Sequence, residues 1–136
     1  MTPVASRTKA RRLAIDILFQ ADVTGSDGRV ALAEWERAER DIPGFTRELV
    51  HGVSDSVEEL DRLIGAHAEG WRVERMASVD RTILRVATFE LRVLGTPVGA
   101  AIDEAVQAAK DLSTEDSGRF VNGVLGRIAR DLEAEA

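Results

Sequence analysis

Arg7, Lys9, Arg11 and Arg12 place four positive charges in the first twelve residues, with no carboxylate among them. The whole chain holds 18 basic and 24 acidic side chains, so the residues after Arg12 carry a net charge of −10. A short cationic segment on an acidic body suits local attraction of a polyanion, with the remainder of the surface repelling it. On composition alone the same run reads equally well as the polar face of a solvated first helix. The overall charge of −6 argues against broad coating of nucleic acid, so any such contact has to be local.

Other chemistry is poorly supported. His51 and His67 fall on one expected helix, more than four turns apart, and cannot share a metal ion. Asp103 and Glu104 are neighbours on a helix and point in different directions. Asp55, Glu58, Glu59 and Asp61 read as a solvated face. Glu90 lies at helical spacing from Ile83, Val86 and Ala87, so it is expected to be partly covered and to need a partner, most simply an arginine. There is no cysteine, which excludes disulfides and thiol chemistry. No HExxH motif, glycine-rich phosphate loop or Ser-His-Asp arrangement is present. The expectation is a protein that is not an enzyme and has neither cofactor nor metal.

The elements that would carry the basic segment are helices. Apolar residues recur at spacings of three and four, and alternating runs are absent. A first helix is expected from about 6 to 23, with Ala10, Leu13, Ala14, Ile17 and Ala21 inward. A short one follows over about 30 to 40. A long one covers about 46 to 67, on Leu49, Val53, Val57, Leu60 and Ile64. Further helices are expected over about 79 to 94 and 100 to 112. The last starts near Asp116 or Ser117, either of which could cap it. Gly123 and Gly126 sit inside that helix, where a pair of glycines most simply admits another helix at close range. The tail from Asp131 to Ala136 is expected to fray. No run approaches eighteen apolar residues and no secretory pattern follows the basic start, so a cytoplasmic protein is the plain inference.

Three segments carry a resemblance. They are Lys9-Ala-Arg-Arg-Leu-Ala-Ile-Asp-Ile-Leu-Phe-Gln-Ala-Asp22; Val79-Asp-Arg-Thr-Ile-Leu-Arg-Val-Ala-Thr-Phe-Glu-Leu91 with Pro97 and Ala101-Ile-Asp-Glu-Ala-Val-Gln-Ala-Ala-Lys110; and Ser117-Gly-Arg-Phe-Val-Asn-Gly-Val-Leu-Gly126. Their order and spacing resemble the transcription antitermination factor NusB family over nearly the whole chain. The resemblance implies an all-α fold: a compact bundle of about seven helices in two packed helical subdomains, about 1–70 and about 71–136, forming a single domain. It further implies binding of boxA single-stranded RNA in ribosomal RNA transcripts together with ribosomal protein NusE, within the RNA polymerase antitermination complex.

Carried onto this chain, the family's arginine-rich RNA-contacting segment maps to Arg7, Lys9 and Arg11, with Arg12 as an added charge. Its first-helix aromatic maps to Phe19, and the aromatic of Phe-Val-Asn-Gly is Phe120; both are implied to lie near the RNA and NusE surface. The acidic residue before that motif is Asp116. The acidic residue opening the helix expected over about 79 to 94 is Asp80, on the implied NusE side. Thr8 interrupts the arginine run, and Phe19 stands where Tyr is frequent. If all four cations neutralise a phosphate, log K against log salt should fall with a slope of roughly −3.

Two other readings remain at this level. One is an RNA-binding domain of the type fused to ribosomal RNA cytosine methyltransferases, which the end of the chain at Ala136 disfavours. The other is a structural helical oligomer that meets an acidic partner. Monomer and homodimer are both left open.

Overall fold

The computed structural model describes residues 4–38 and 41–135. Six α-helices form among them: α1 Val4–Thr24, α2 Gly28–Arg37, α3 Gly44–His67, α4 Ser78–Phe89, α5 Val98–Leu112 and α6 Glu115–Glu135. A 3-10 turn, Val73–Arg75, precedes α4, and a π-helical turn, Glu90–Leu94, follows it. No described residue lies in a strand, as the helical periodicity requires.

The expected count of about seven helices is corrected to six. Between α3 and α4, Gly70 takes a φ of +75°, which ends helical continuation. The segment after it offers only Val73 and Met76 for burial, too few for an amphipathic face. The helix expected from 79 to 94 stops being α-helical after Phe89. Glu39 and Arg40, at the end of the expected second helix, lie outside the described residues.

Contacts divide the chain into Met1–Asp55 and Ser56–Ala136. In the first unit, Ala10, Ala14, Ile17 and Ala21 of α1 are buried, as their spacing predicts, and Ile15 and Leu18 are buried with them. Asp27 caps α2: its carboxylate accepts the Arg29 backbone N–H at 2.8 Å and the Arg29 guanidinium at 2.7 Å. These bonds, the side-chain one first, hold its pKa down to about 2. Gly28 is the tight point of this unit. A Cβ there would stand 2.6 Å from Ser54 Oγ and 2.7 Å from Leu18 Cδ2.

In the second unit α4 packs on α5 and α6, and α5 runs along α6. Ile83, Leu84, Val86, Ala105, Ala108, Ala109, Val121, Val124, Leu125 and Ile128 form the apolar interior. Gly118, on α6, allows the approach of α5, since a Cβ there would meet Lys110 Cγ at 2.9 Å. This corrects the expectation for Gly123 and Gly126. The atoms nearest those two positions belong to Arg127, at 3.5 Å, and Arg130, at 3.7 Å, both on α6 itself. They therefore mark no helix crossing among the described residues.

Glu90 is fully buried at the start of the π turn. It accepts a hydrogen bond from the Thr96 hydroxyl at 3.1 Å, while the Thr96 N–H donates to its carbonyl at 3.1 Å. Asp61 is not part of a solvated face, because Arg85 donates to both of its oxygens at 2.7 Å. Arg92 likewise pairs with Glu59.

The tail expected to fray is helical through Glu135. One anchor is Arg127, whose Nε donates to the His67 carbonyl at 2.8 Å, satisfying the end of α3. The other is Asp131, whose carboxylate lies 2.5 Å from His67 Nε2. Among the described residues no helix is long and apolar enough to cross a membrane.

Both nitrogens of His67 face acceptors, Nδ1 the Leu63 carbonyl at 2.8 Å and Nε2 Asp131. Only the imidazolium donates to both. The Leu63 bond first, and then Asp131, raise its pKa against desolvation. A raised value means the folded state holds the proton more tightly. The contribution is therefore complete below the unfolded value of about 6.5 and is lost as pH rises through the folded value. His67→Gln is expected to lower the urea midpoint at about pH 5.5 and to lie closer to the parent protein at about pH 9. A deficit of equal size at both pH values would show that folding does not raise the pKa of the ring.

Candidate nucleic-acid interface

In the first unit the basic residues sit on the N-terminal turns of α1. Arg7 and Lys9 are exposed, Arg12 is half-buried, and Arg11 is only 7% exposed. The four are therefore not equivalent. The guanidinium carbon of Arg7 lies 4.2 Å from the centre of the Phe45 ring, and that of Arg11 lies 5.4 Å from it. Phe45 belongs to the first turn of α3. Beside it the buried Thr46 hydroxyl donates to the Ala10 carbonyl at 2.8 Å, tying that turn to α1. Phe19, further along α1, is 39% exposed, so it is not a core ring. Its neighbour Gln20 accepts the Trp35 indole N–H at 3.0 Å.

In the second unit Asp80, Asp116 and Phe120 come together. They line a hollow of about 460 Å³ with Trp71, Met76, Ala77, Thr114 and Ser117. Trp71 is 55% exposed and meets Phe120 edge-on, with ring centres 5.9 Å apart and planes at 63°. Such aromatic pairs favour this geometry because the positive ring edge faces the negative ring face.

Arg81 holds the turn that presents Trp71. Its Nη1 donates to the carbonyls of Val73 at 2.9 Å and Met76 at 3.1 Å, and its Nη2 donates to Ser78 Oγ at 3.3 Å. Asp80 Oδ2 accepts from Ser117 Oγ at 3.1 Å, while its Oδ1 is buried without a hydrogen-bond partner. Burial pushes the Asp80 carboxyl above its ordinary pKa, and the Ser117 bond opposes that rise.

Asp116 is exposed and pairs with Arg119, one turn further along α6. It does not cap that helix. Thr114 does, through Oγ1, which accepts the Ser117 N–H at 3.0 Å. The chain enters α6 one residue earlier than expected, so Asp116 falls inside the first turn. No group of three or more His, Cys, Asp or Glu side chains among the described residues could hold a metal ion.

Two residues of these surfaces went unnoticed in the sequence. Phe45 carried no signal, because its partners Arg7 and Arg11 are distant in the chain. Trp71 drew no expectation either, although a tryptophan directly after a glycine turn is a candidate for exposure.

Comparison with known proteins places the chain among helical transcription factors. Residues 8–130 match the NusB family. The transcription antitermination protein NusB of Symbiobacterium thermophilum is 46% identical, covering 96% of this chain and 94% of its own length. That of Saccharopolyspora erythraea is 47% identical, covering 93% and 88%. Among solved structures, NusB of T. maritima superposes with a TM-score of 0.83 at 35% identity, covering 96% of this chain and 92% of that one. A crystal structure of the antitermination factors NusB and NusE in complex with dsRNA gives 0.84 at 27% identity, covering 95% and 99%.

The capping geometry separates two substitutions at the edge of the hollow. Thr114→Ala removes the cap and is expected to cost about 1 kcal/mol in urea unfolding. Asp116→Asn removes an exposed charge near the helix N-terminus and should cost only a few tenths of a kcal/mol, roughly the dipole contribution. If the Asp116 variant loses as much as the Thr114 variant, the cap is misassigned.

Proposed function

The chain belongs to the NusB family, and from that premise we propose that it is a transcription antitermination factor that binds boxA RNA of ribosomal RNA transcripts together with ribosomal protein NusE. The proposal extends to action within the RNA polymerase antitermination complex. The observation that carries it is the exposed positive charge on the first turns of α1 in a chain that is otherwise acidic. A relative of similar fold has been solved with NusE and dsRNA, which supports the same pair of partners here.

The roles divide by chemistry. Arg7, Lys9 and Arg12 meet RNA phosphates, with Arg11 packed behind them. Phosphate contacts position RNA but carry little sequence information. Exposed bases of single-stranded RNA stack on aromatic rings, and Phe19 and Phe120 are proposed for that role, with Trp71 joined to Phe120. The hollow of Asp80 and Asp116 has no cationic side chain among its lining residues. Its carboxylates oppose phosphate while leaving Phe120 open to a base, and they suit a basic protein partner, so we assign NusE to Asp80; Phe19, in the first unit, is assigned separately as an apolar contact of NusE. Asp116 opposes phosphate at the edge of the RNA surface.

Burial of Arg11 changes the expected salt dependence. With three cations available, log K for boxA RNA against log salt should have a slope of roughly −2, instead of the roughly −3 expected from four. Replacing Arg7 and Lys9 by Ala should bring it to roughly −0.7. A slope unmoved by that double replacement would remove the arm from the interface.

Asp80→Arg should weaken NusE binding and boxA recognition by the pair, and leave the weak RNA binding of the free protein unchanged. Titrating labelled boxA RNA with each protein alone and with both provides the test. If the free protein already discriminates boxA from a scrambled RNA as well as the pair does, NusE is unnecessary and this part of the proposal fails.

A further inference from the structure

Cations on a flexible arm lose side-chain freedom whenever they bind RNA, and this loss subtracts from affinity. A protein can avoid part of it by fixing the cations beforehand. The first unit contains the parts for this. The Phe45 ring has the Arg7 guanidinium 4.2 Å from its centre and that of Arg11 at 5.4 Å, both within the range in which an aromatic face attracts a cation. The ring is itself held in place. It lies on the first turn of α3, next to Thr46, whose buried hydroxyl bonds the Ala10 carbonyl between the two arginines in sequence. On the other side of Thr46, the Arg47 guanidinium donates to the Ile42 carbonyl at 2.9 Å and to Glu36 at 3.1 Å, so the turn is braced from both ends.

We propose that Phe45 is a positioning residue for RNA binding: its ring seats Arg7 and Arg11 so that the basic turn of α1 meets RNA with its cations already placed. This inference rests on the RNA reading above. Phe45 touches no phosphate in this scheme. It acts through Arg7, the exposed member of the pair, and its contribution is the ordering that Arg7 no longer undergoes on binding, with Arg11 packed behind it. The number of phosphates contacted is set by the exposed cations, so loss of the ring lowers affinity without changing the salt slope.

Two variants of the full chain test it. Phe45→Leu keeps an apolar body and removes the aromatic face, whereas Phe45→Tyr keeps the face. In the free protein, side-chain proton resonances of Arg7 and Arg11 should be shifted upfield by the ring in the parent and Tyr forms, and lie near random-coil positions in the Leu form. Binding of a boxA-containing single-stranded RNA should be weakened roughly three- to tenfold by Phe45→Leu at unchanged slope of log K against log salt, and restored by Phe45→Tyr. In an Arg7→Ala, Arg11→Ala background the Leu substitution should have almost no further effect.

Phe45→Leu that unfolds at the parent temperature and binds RNA as tightly as the parent would overturn the proposal. So would a full loss that persists in the double-alanine background, because the ring would then contact RNA directly. Should the Leu form be unstable, the Tyr form and the ring-current shifts still decide, and unshifted arginine resonances in the parent protein refute the seat. Failure of the parent chain to bind the RNA at all, with the shifts present, removes the RNA reading and this proposal with it, and leaves the seat as a feature of the fold alone.

Discussion

A single buried hydroxyl sets the first surface. Thr46 is fully buried, so its O–H needs a protein partner, and the partner is the Ala10 carbonyl of α1. An unmade bond there would cost about 1–3 kcal/mol, a sizeable fraction of a small protein's stability. The bond fixes the first turn of α3 against the basic turns of α1. Phe45 is thereby brought to Arg7, which stays exposed, and to Arg11, which is buried. The same segment of α1 could otherwise be an ordinary solvated helix end.

Two surfaces of opposite electrostatic character result, one in each unit. The first is a cluster of guanidinium and ammonium groups with an aromatic ring beneath two of them. The second is a hollow with two carboxylates and an aromatic pair, where burial makes the charge of Asp80 costly to hold. On the reading proposed above, phosphate is drawn to the former, while the carboxylates of the latter oppose phosphate and its rings remain open to a base. On that reading the acidic remainder of the chain confines phosphate binding to the one basic segment, which is a matter of field and not of contact geometry.

The places where sequence reasoning failed share a cause. Gly123 and Gly126 looked like a helix crossing, yet their own helix folds arginine side chains over them, and the crossing falls at Gly118, which attracted no attention. Asp116 looked like a cap, yet Thr114 takes that position. Asp61 looked solvated, yet Arg85 grips it from α4. The tail from Asp131 offered little apolar pattern to argue for order, but His67 holds Asp131 and Arg127 ties the helix before it to the end of α3, through polar bonds that periodicity does not register. At Asp61 and in the tail the deciding atom comes from a residue far along the chain, at Asp116 from a one-residue shift in where the helix begins, and at Gly123 and Gly126 from a side chain one turn along the same helix.

What the sequence alone determined is the part governed by local physics: helices throughout, breaks at Gly70 and Gly95, the inward stripes of α1 and α4, the concentration of positive charge before Leu13, and motifs specific enough to identify the family. These follow from backbone preference, apolar spacing and net charge, all of which are local in the chain. The tertiary structure alone decided which cations are exposed, that Phe45 lies beneath Arg7 and Arg11, and that Trp71, Asp80 and Phe120 share one hollow. Those depend on side chains meeting across long stretches of chain, and a contact of that kind is specified by packing and the satisfaction of buried polar groups, which no window of sequence contains.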